Sequence, residues 1–358
     1  IVAGYSGDNF ILARTNIDQL GAMRLVNQLF SALARPIAVQ DQEMILTASI
    51  GVALYPMDGA TATDLMRCAE TAMYRVKHDS RNSYSFYSPD MQARTARSLQ
   101  LTNALKLAFM RDEFRVVYQP QISLRDGRMT GAEALLRWRH PQLGDISPAE
   151  FIPLAENAGL GAQVGEWVLQ HVLADLREWQ TQSLHLFKVA VNLSAGQFSE
   201  PSLVEKIQGH LEQSGISPRW LELELTEIAA MKHPAQAMRT MSDLSGLGLS
   251  LSIDDFGTGY SSLSLLKRFR VYKLKIDQSF VRNVVRSPED QAIVTAIINM
   301  AHSLGMVTLA EGVETEEQLA FLKANQCDEM QGYLYRRPLE KDDFAQLLRS
   351  PPPLPLPA

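Results

Sequence analysis

Apolar runs separated by helical segments dominate the chain from about residue 99 to residue 350. Eight of these runs have the length of buried strands. They cover residues 114–119, 130–136, 188–193, 221–225, 249–253, 272–276, 307–310 and 330–334. One helix between them is clearly marked, because Ser287 can cap it and Pro288 can occupy its first turn. Eight strands alternating with helices over about 250 residues predict an α/β fold, a TIM-like (β/α)8 barrel.

The first 88 residues follow a different pattern. Two short apolar runs at residues 2–5 and 10–13 flank a polar turn, which predicts a β-hairpin. A helix over residues 17–33, a strand over residues 44–54 and a helix over residues 63–77 follow. This alternation predicts a small α+β module at the N-terminus.

A polar, arginine-rich stretch separates the two patterns, and 358 residues suit about two domains. We predict a first module at residues 1–88, a linker at 89–98, a barrel at 99–350 and a proline-rich tail at 351–358. For this tail, an extended end is favoured over a ligand for an SH3-type domain.

Composition narrows the class of protein. Apolar residues make up 46% of the chain and charged residues 21%, which excludes disordered and collagen-like proteins. The net charge is −6 without a long basic run, so binding to a nucleic acid polymer is not expected. Cys68 and Cys327 lack metal or disulfide spacing, which indicates buried thiols in a reducing compartment.

The same residues give an expectation about location. No apolar stretch approaches the 18 or so residues of a membrane-spanning helix, and no signal peptide pattern opens the chain. We therefore expect a cytoplasmic protein. The chain begins at Ile1 without an initiator Met, which leaves room for a longer parent protein with an upstream membrane anchor.

Polar side chains stand at the ends of the predicted barrel strands. They are Glu133, Asn192, Glu224, Asp254, Asp255, Lys275, Glu311 and Gln331. Barrel enzymes build their sites at the C-terminal strand ends, so these side chains should converge. Five carboxylates in one pocket repel one another unless hard divalent cations lie between them. The pattern predicts two Mg²⁺ or Mn²⁺ ions, and this arrangement is typical of phosphodiester cleavage.

Simpler interpretations apply to each element taken alone. Two aspartates after a strand are most often a turn or a helix cap. Residues 257–262 imitate a dinucleotide fingerprint, but the third glycine is replaced by Ser262 and the neighbouring aspartates would repel a pyrophosphate. Nucleotide triphosphatases and serine hydrolases lack support, since neither a phosphate-binding lysine loop nor a G-x-S-x-G turn occurs.

The strand-end residues belong to seven ordered motifs. These are EALLRW at 133–138, VNLS at 191–194, ELTE at 224–227, DDFGTGYSS at 254–262, KLKID at 273–277, AEGVET at 310–315 and QGY at 331–333. Together they resemble the EAL domains, the cyclic di-GMP phosphodiesterases of bacteria. The resemblance implies a barrel with one antiparallel strand and hydrolysis of cyclic di-GMP to linear pGpG.

The resemblance also implies roles for individual residues. The implied ligands are Glu133, Asn192, Glu224 and Asp254 for one Mg²⁺ or Mn²⁺ ion, and Asp254, Asp255 and Glu311 for the second. Lys275 and Glu311 are implied to position and deprotonate the attacking water. Glu227 and Glu314 are implied to brace the loop that begins at Asp254. The implied substrate-binding residues are Gln119, Leu136, Arg137 and Gln331.

The main alternative is a non-catalytic receptor or scaffold that binds cyclic di-GMP. Receptors of that kind usually lose some of these residues, whereas this chain retains all of them. A homodimer is expected by analogy with the family only.

Residues 6–10, 48–53 and 69–74 resemble the second half of a GGDEF diguanylate cyclase domain. The cyclase motif is occupied by Ser6, Gly7, Asp8, Asn9 and Phe10. Asn9 replaces a carboxylate that the cyclase reaction needs for its metal, and the upstream half of the domain is not in this sequence. We therefore expect a degenerate structural or regulatory module without cyclase activity, with GTP as its candidate ligand.

Overall fold

The computed structural model describes residues 1–39, 42–79, 82–259 and 263–349. The chain folds into two units, Ile1–Ala104 and Leu105–Ala358. The finer domain bounds given above stay a prediction. Within the described ranges, every helix is too short or too polar to span a membrane.

The first unit contains three two-stranded sheets within its described residues. Its strands are β1 (Val2–Ser6), β2 (Asn9–Leu12), β3 (Ile37–Val39), β4 (Gln42–Met44), β5 (Ile50–Val52) and β6 (Tyr84–Phe86). Its helices are α1 (Gln19–Leu33), α2 (Ala62–Asp79) and α3 (Pro89–Ala108), the last of which continues into the second unit. β1 and β2 pair antiparallel, which confirms the predicted hairpin.

The predicted single strand over residues 44–54 is wrong. β4 pairs antiparallel with β3, whereas β5 pairs parallel with β6, and residues 45–49 belong to no strand. The apolar run therefore changes partner midway, and the chain needs the intervening residues to pass between two sheets. Gly51 lets β5 approach α2 closely, since a Cβ there would lie 1.9 Å from the Ala69 carbonyl oxygen.

The described part of the second unit is built on ten strands. They are β7 (Phe114–Ser123), β8 (Met129–His140), β9 (Gly144–Ile146), β10 (Lys188–Leu193), β11 (Leu221–Thr226), β12 (Ser250–Phe256), β13 (Lys273–Ile276), β14 (Val307–Ala310), β15 (Glu329–Met330) and β16 (Leu339–Glu340). Eight of them close into a barrel in the order β7, β15, β14, β13, β12, β11, β10, β8 and back to β7. β7 is antiparallel to both of its barrel neighbours and the other barrel pairs are parallel, which confirms the predicted barrel with one antiparallel strand.

Helices follow the strands of this unit. They are α4 (Pro148–Asn157), α5 (Gly161–Thr181), α6 (Ala195–Phe198), α7 (Leu203–Ser214), α8 (Glu227–Lys232), α9 (Pro234–Gly246), α10 (Leu263–Leu266), α11 (Gln278–Asn283), α12 (Pro288–Ser303), α13 (Glu316–Ala324) and α14 (Lys341–Arg349). Short 3-10 turns lie at Phe109–Arg111 and Pro218–Trp220. α12 begins as predicted, because the Ser287 hydroxyl accepts a hydrogen bond from the Asp290 backbone at 3.1 Å.

The last barrel strand is shorter than predicted. The expected strand over residues 330–334 is only Glu329–Met330, and the chain leaves the barrel after it. The reason is a close approach at Gly332, where a Cβ would lie 2.0 Å from the Val313 carbonyl oxygen. The Leu334 backbone then donates to the same oxygen at 3.0 Å. This turn places Gln331 at the end of the strand.

The barrel strands are buried on both faces. On β11, Leu221, Leu223 and Leu225 alternate with Glu222 and Glu224, and all five are at most 1% exposed. Successive side chains of a strand point to opposite faces, so one face of β11 is apolar and the other is acidic. The acidic face lies inside the barrel, where it meets side chains from other strands. The apolar core therefore lies between the strands and the surrounding helices.

Contacts around Tyr118 fix the antiparallel strand β7 to two helices. The Tyr118 hydroxyl donates to Asp175 Oδ2 on α5 at 2.6 Å, and Lys341 Nζ on α14 lies 2.7 Å from Asp175 Oδ1. The Tyr118 ring packs between Trp179 and Phe344, with ring centroids 4.9 and 5.3 Å away. These contacts hold the strand that carries Gln119.

We expect Tyr118→Phe to destabilise the protein by about 1.5–3 kcal/mol, because it removes a buried hydrogen bond to a charged carboxylate. Urea unfolding measures this loss. Tyr333→Phe is the matched control, since Tyr333 is 48% exposed. Equal unfolding free energies for the two variants would contradict the role of the Tyr118 hydroxyl.

Candidate functional site

The Lys275 ammonium lies among four carboxylates at the ends of the barrel strands, and the residue is fully buried. Its Nζ atom lies 2.7 Å from Glu224 Oε2, 2.7 Å from Glu311 Oε1, 3.0 Å from Asp254 Oδ1 and 3.6 Å from Glu133 Oε2. The expected convergence of these side chains is therefore present in the structure. Burial and four carboxylates act on this ammonium in opposite directions, and the carboxylates raise its pKa well above the ordinary value.

One ammonium does not balance four carboxylates. Burial raises the pKa of Glu224 well above its ordinary value, and the charges of Glu133 and Asp254 add to this despite the nearby Lys275. Burial likewise raises the pKa of Glu311 to about 8, with Asp254 and Glu133 as further causes. Without a metal ion beside them, these two acids therefore retain their protons to unusually high pH.

Glu133 behaves in the opposite way. Burial alone would raise its pKa, but the Lys275 charge and hydrogen bonds from Gln331 and Asn192 lower it below the ordinary value. Gln331 Nε2 donates to Glu133 Oε2 at 2.6 Å, and Asn192 Nδ2 donates to Glu133 Oε1 at 2.7 Å. Glu133 is thus a charged carboxylate with both oxygens held in place.

Two of the predicted substrate-binding residues adjoin this cluster. Gln331 Nε2 also donates to Gln119 Oε1 at 3.1 Å, and Gln119 Nε2 donates to the Arg336 carbonyl at 3.3 Å. Arg137 and Leu136 lie further along β8, where the Arg137 guanidinium donates to the Leu136 carbonyl at 2.9 Å. Arg137 is a half-buried cation close to the acidic site in the chain.

Asp254 and Asp255 reach the same site although they are consecutive. Consecutive side chains of a regular strand point to opposite faces, but the pairing of β12 with β13 shifts between Ile253 and Phe256. Asp255 has a left-handed backbone with φ of +53°. Oxygens of Asp254, Asp255 and Glu311 lie within 4.8 Å of one another. Burial, Asp254 and Asp277 raise the pKa of Asp255 to about 6.

This donor set suits a hard divalent cation. It consists of carboxylate oxygens, which Mg²⁺ and Mn²⁺ prefer over softer ligands. Glu224 Oε1 is buried and has no hydrogen-bond partner among the described residues, so it is available as a ligand. The carboxylates also carry more negative charge than Lys275 can neutralise, which favours a bound cation.

Glu227 holds the start of the loop that follows β12. It is 1% exposed, and its Oε2 accepts hydrogen bonds from the backbones of Gly257 at 2.9 Å and Gly259 at 3.4 Å. A Cβ on Gly259 would lie 2.7 Å from Glu227 Oε1, so a larger residue there would displace this carboxylate. Glu314 is exposed, and residues 260–262 of the loop lie outside the described residues, so its bracing role stays a prediction.

A second polar layer lies inside the barrel and was not predicted from the sequence. It consists of Gln121, Glu222, Lys273 and Glu329, each at most 5% exposed. Each lies two positions along a strand from a residue of the site, namely from Gln119, Glu224, Lys275 and Gln331. Polar residues at a spacing of two in a buried strand were the available signal.

The degenerate cyclase motif of the first unit forms the turn of its hairpin. Ser6 pairs with Asn9, and Gly7 has a φ of +58°, which suits glycine in a tight turn. Ser6, Gly7, Asp8 and Phe10 are exposed. An amide thus stands at the start of β2 where the cyclase motif has a carboxylate.

Comparison with protein families finds one match in each unit. Residues 102–338 match the model described as "EAL domain". Residues 1–83 match the model described as "Diguanylate cyclase, GGDEF domain". The first match covers the barrel strands and every barrel residue of the site.

Curated relatives align with nearly the whole chain. A protein of Pseudomonas aeruginosa described as "Bifunctional diguanylate cyclase/cyclic di-GMP phosphodiesterase MucR" is 41% identical over 98% of this chain and 50% of its own length. "Cyclic di-GMP phosphodiesterase NbdA" of the same organism is 40% identical over 98% of this chain and 45% of its own length. The chain thus spans about half the length of these relatives.

A solved structure is also similar. It is described as "PaMucR Phosphodiesterase, c-di-GMP complex", with a TM-score of 0.67 and 42% identity. The similarity covers 68% of this chain and 99% of that chain.

We expect Mn²⁺ to bind more tightly as the pH rises from 6 to 8, because the raised pKa values of Asp255, about 6, and Glu311, about 8, mean that protons must leave first. Affinity should rise up to about tenfold per pH unit for each proton released. Calorimetry in buffers of different ionisation enthalpy counts these protons. Glu311→Gln should release fewer of them at pH 7. An affinity independent of pH over this range would contradict the assignment.

Proposed function

The chain belongs to the EAL domain family, and we propose that it hydrolyses cyclic di-GMP to linear pGpG at the Lys275-centred carboxylate site. The observation that carries this proposal is that the lysine and its four carboxylates occur together at the barrel strand ends. The names of MucR and NbdA, which include cyclic di-GMP phosphodiesterase, support the same substrate.

Two divalent metal ions, Mg²⁺ or Mn²⁺, fit the proposal. Glu133, Asn192, Glu224 and Asp254 would hold one ion, and Asp254, Asp255 and Glu311 the other; the unpartnered Glu224 Oε1 supports the first set. When bound, such ions lower the pKa of water and neutralise charge on the phosphate oxygens.

The chain's own residues account for the proton transfer. Lys275 holds Glu311 at 2.7 Å, so the Glu311 carboxylate has a fixed position beside the site. A general base has to lie within reach of the proton that it takes, and this fixed carboxylate at the strand ends meets that condition. Water attacks the phosphorus and gives its proton to Glu311. The bond from phosphorus to the 3′ oxygen breaks, and this oxygen takes a proton from solvent, to which Glu311 later returns its own. The product is pGpG with a 5′ phosphate.

Substrate contacts fall to residues around this centre. Gln119 and Gln331 present buried amides next to Glu133, which suits recognition of oxygen and nitrogen atoms on a nucleotide. Arg137 supplies a positive charge that suits a phosphate. These assignments extend the resemblance to this chain and stay proposals.

We expect Glu311→Gln to reduce turnover of cyclic di-GMP at least about a hundredfold while binding is largely retained, because the substitution removes the base but keeps its shape. Chromatography of pGpG and calorimetric binding give the two readouts. Glu316→Gln is the matched control, because it removes an exposed carboxylate nearby in the chain.

Two outcomes would contradict parts of this proposal. Equal turnover by wild type and Glu311→Gln would remove the role of Glu311 as the base. If the wild type binds cyclic di-GMP without hydrolysing it, the chain is a receptor and not an enzyme.

We expect the chain to form no cyclic di-GMP from GTP with Mg²⁺, because Asn9 stands where the cyclase motif has a metal-binding carboxylate. Incubation with labelled GTP and chromatography test this expectation, with Glu311→Gln used so that any product survives. Detection of cyclic di-GMP above the background of a protein-free reaction would overturn it.

A further inference from the structure

The second polar layer of the barrel is centred on another buried lysine. Lys273 is 2% exposed, and its Nζ donates to Gln121 Oε1 at 2.8 Å. The same atom lies 3.0 Å from Glu329 Oε2 and 3.4 Å from Glu222 Oε2. The contact with Gln121 is a hydrogen bond, and the two carboxylates form ion pairs with the ammonium group. Lys273 therefore has a defined position one layer below the Lys275-centred site, which is the upper site.

A chain of hydrogen bonds leads from Lys273 to the upper site. Gln121 Nε2 donates to Gln331 Oε1 at 3.1 Å, and Gln331 Nε2 donates to Glu133 Oε2 at 2.6 Å. The oxygen of each glutamine accepts a hydrogen bond from the group nearer to Lys273, and its nitrogen donates one to the group nearer to Glu133. The chain thus ends on a carboxylate that is an implied metal ligand.

Lys273 sets the direction of this chain. An ammonium group can only donate, so it attracts the oxygen of Gln121 and leaves the nitrogen for Gln331. Gln331 is then turned with its oxygen down and its nitrogen towards Glu133. With both amides reversed, Gln331 would instead present a carbonyl oxygen to the Glu133 carboxylate, and two acceptors repel each other.

A glycine on the neighbouring strand leaves room for the Gln121 side chain. Gln121 is 1% exposed and stands opposite Gly131 on the neighbouring strand β8. A Cβ at position 131 would lie 3.2 Å from Gln121 Oε1 and 2.9 Å from the Lys188 carbonyl oxygen. A side chain larger than glycine would therefore press on the oxygen that Lys273 holds.

We propose that Lys273 is a positioning residue, which acts through Gln121 and Gln331 to turn a donor towards Glu133 and so prepare this carboxylate for a divalent cation. The inference rests on the proposed function only in taking Glu133 as a metal ligand. Neither Lys273 nor Gln121 touches the substrate or the reacting atoms in this scheme.

The test measures Mn²⁺ affinity by calorimetry with the metal alone. Gln121→Glu keeps the size of the side chain and its acceptor for Lys273 but cannot donate to Gln331, so Gln331 should reverse. We expect Mn²⁺ to bind about tenfold more weakly, in the range known for partners of metal ligands. The added negative charge alone would strengthen binding, so weaker binding has the sign that only the reversed chain explains.

A double-mutant cycle tests whether the two glutamines act in series. Gln331→Met should weaken Mn²⁺ binding about 10- to 100-fold and Gln121→Met about tenfold. If they act in series, the double variant binds no more weakly than Gln331→Met. This cycle also decides the question if Gln121→Glu does not fold, as judged by circular dichroism and thermal unfolding.

Glu222→Gln is the matched control, because it changes a carboxylate of the same layer and leaves the hydrogen bond from Lys273 to Gln121 in place. Its Mn²⁺ affinity should stay within about threefold of wild type. Wild-type affinity in Gln121→Glu, or additive effects in the cycle, would overturn the proposal.

The outcome is separate from that of the proposed function. A wild type that binds Mn²⁺ but makes no pGpG refutes the proposed phosphodiesterase activity. The positioning role of Lys273 is then still decided by the Mn²⁺ affinities of the variants. If the wild type is active and the Gln121 variants bind Mn²⁺ as tightly as it does, only the positioning role of Lys273 is refuted.

Discussion

The buried ammonium of Lys275 is the contact on which the site depends. Two like charges about 4 Å apart repel by about 4 kcal/mol at the effective dielectric constant near a protein surface. The summed repulsion among four carboxylates without a counter-charge would therefore exceed the total stability of a typical domain, which is about 5–15 kcal/mol. Lys275 removes part of this repulsion, and the raised pKa values of Glu224 and Glu311 remove more because these acids keep protons. These two acids, like Asp255, would exchange their protons for metal ions.

The antiparallel strand β7 places two amide side chains at different depths inside the barrel. Gln119 stands opposite Glu133, and Gln121 stands opposite Gly131. Because β7 runs against β8, its later residues lie deeper in the barrel, towards the start of β8. Gln119 therefore joins the upper site and Gln121 joins the layer below it. Tyr118, between α5 and α14, fixes the strand that carries both.

Much of the barrel and of its site could be predicted from the sequence, and the exceptions have physical reasons. Strand ends meet at one edge of a parallel barrel, so the convergence of Glu133, Glu224 and Lys275 followed from their places on the strands. Glu222 and Lys273 were missed because alternating polar residues look the same on a solvated strand face and inside a closed polar barrel. Only closure, which depends on long-range pairing, tells them apart. The false strand over residues 44–54 has a similar origin, since an apolar run carries no mark where it changes partner.

A polar interior changes what holds this barrel together. TIM barrels are usually filled by branched apolar side chains, whereas this one holds charged and amide groups, and Glu222 and Ser252 have buried oxygens without a hydrogen-bond partner among the described residues. Buried ion pairs at best offset their loss of hydration, so the stability has to come from the apolar layer outside the strands. Trp138 and Trp179 lie in that layer and are at most 1% exposed. Inside the barrel, the direction of each hydrogen bond then matters more than the volume of each side chain. A substitution that keeps volume but reverses a donor therefore acts on the site before it acts on the fold.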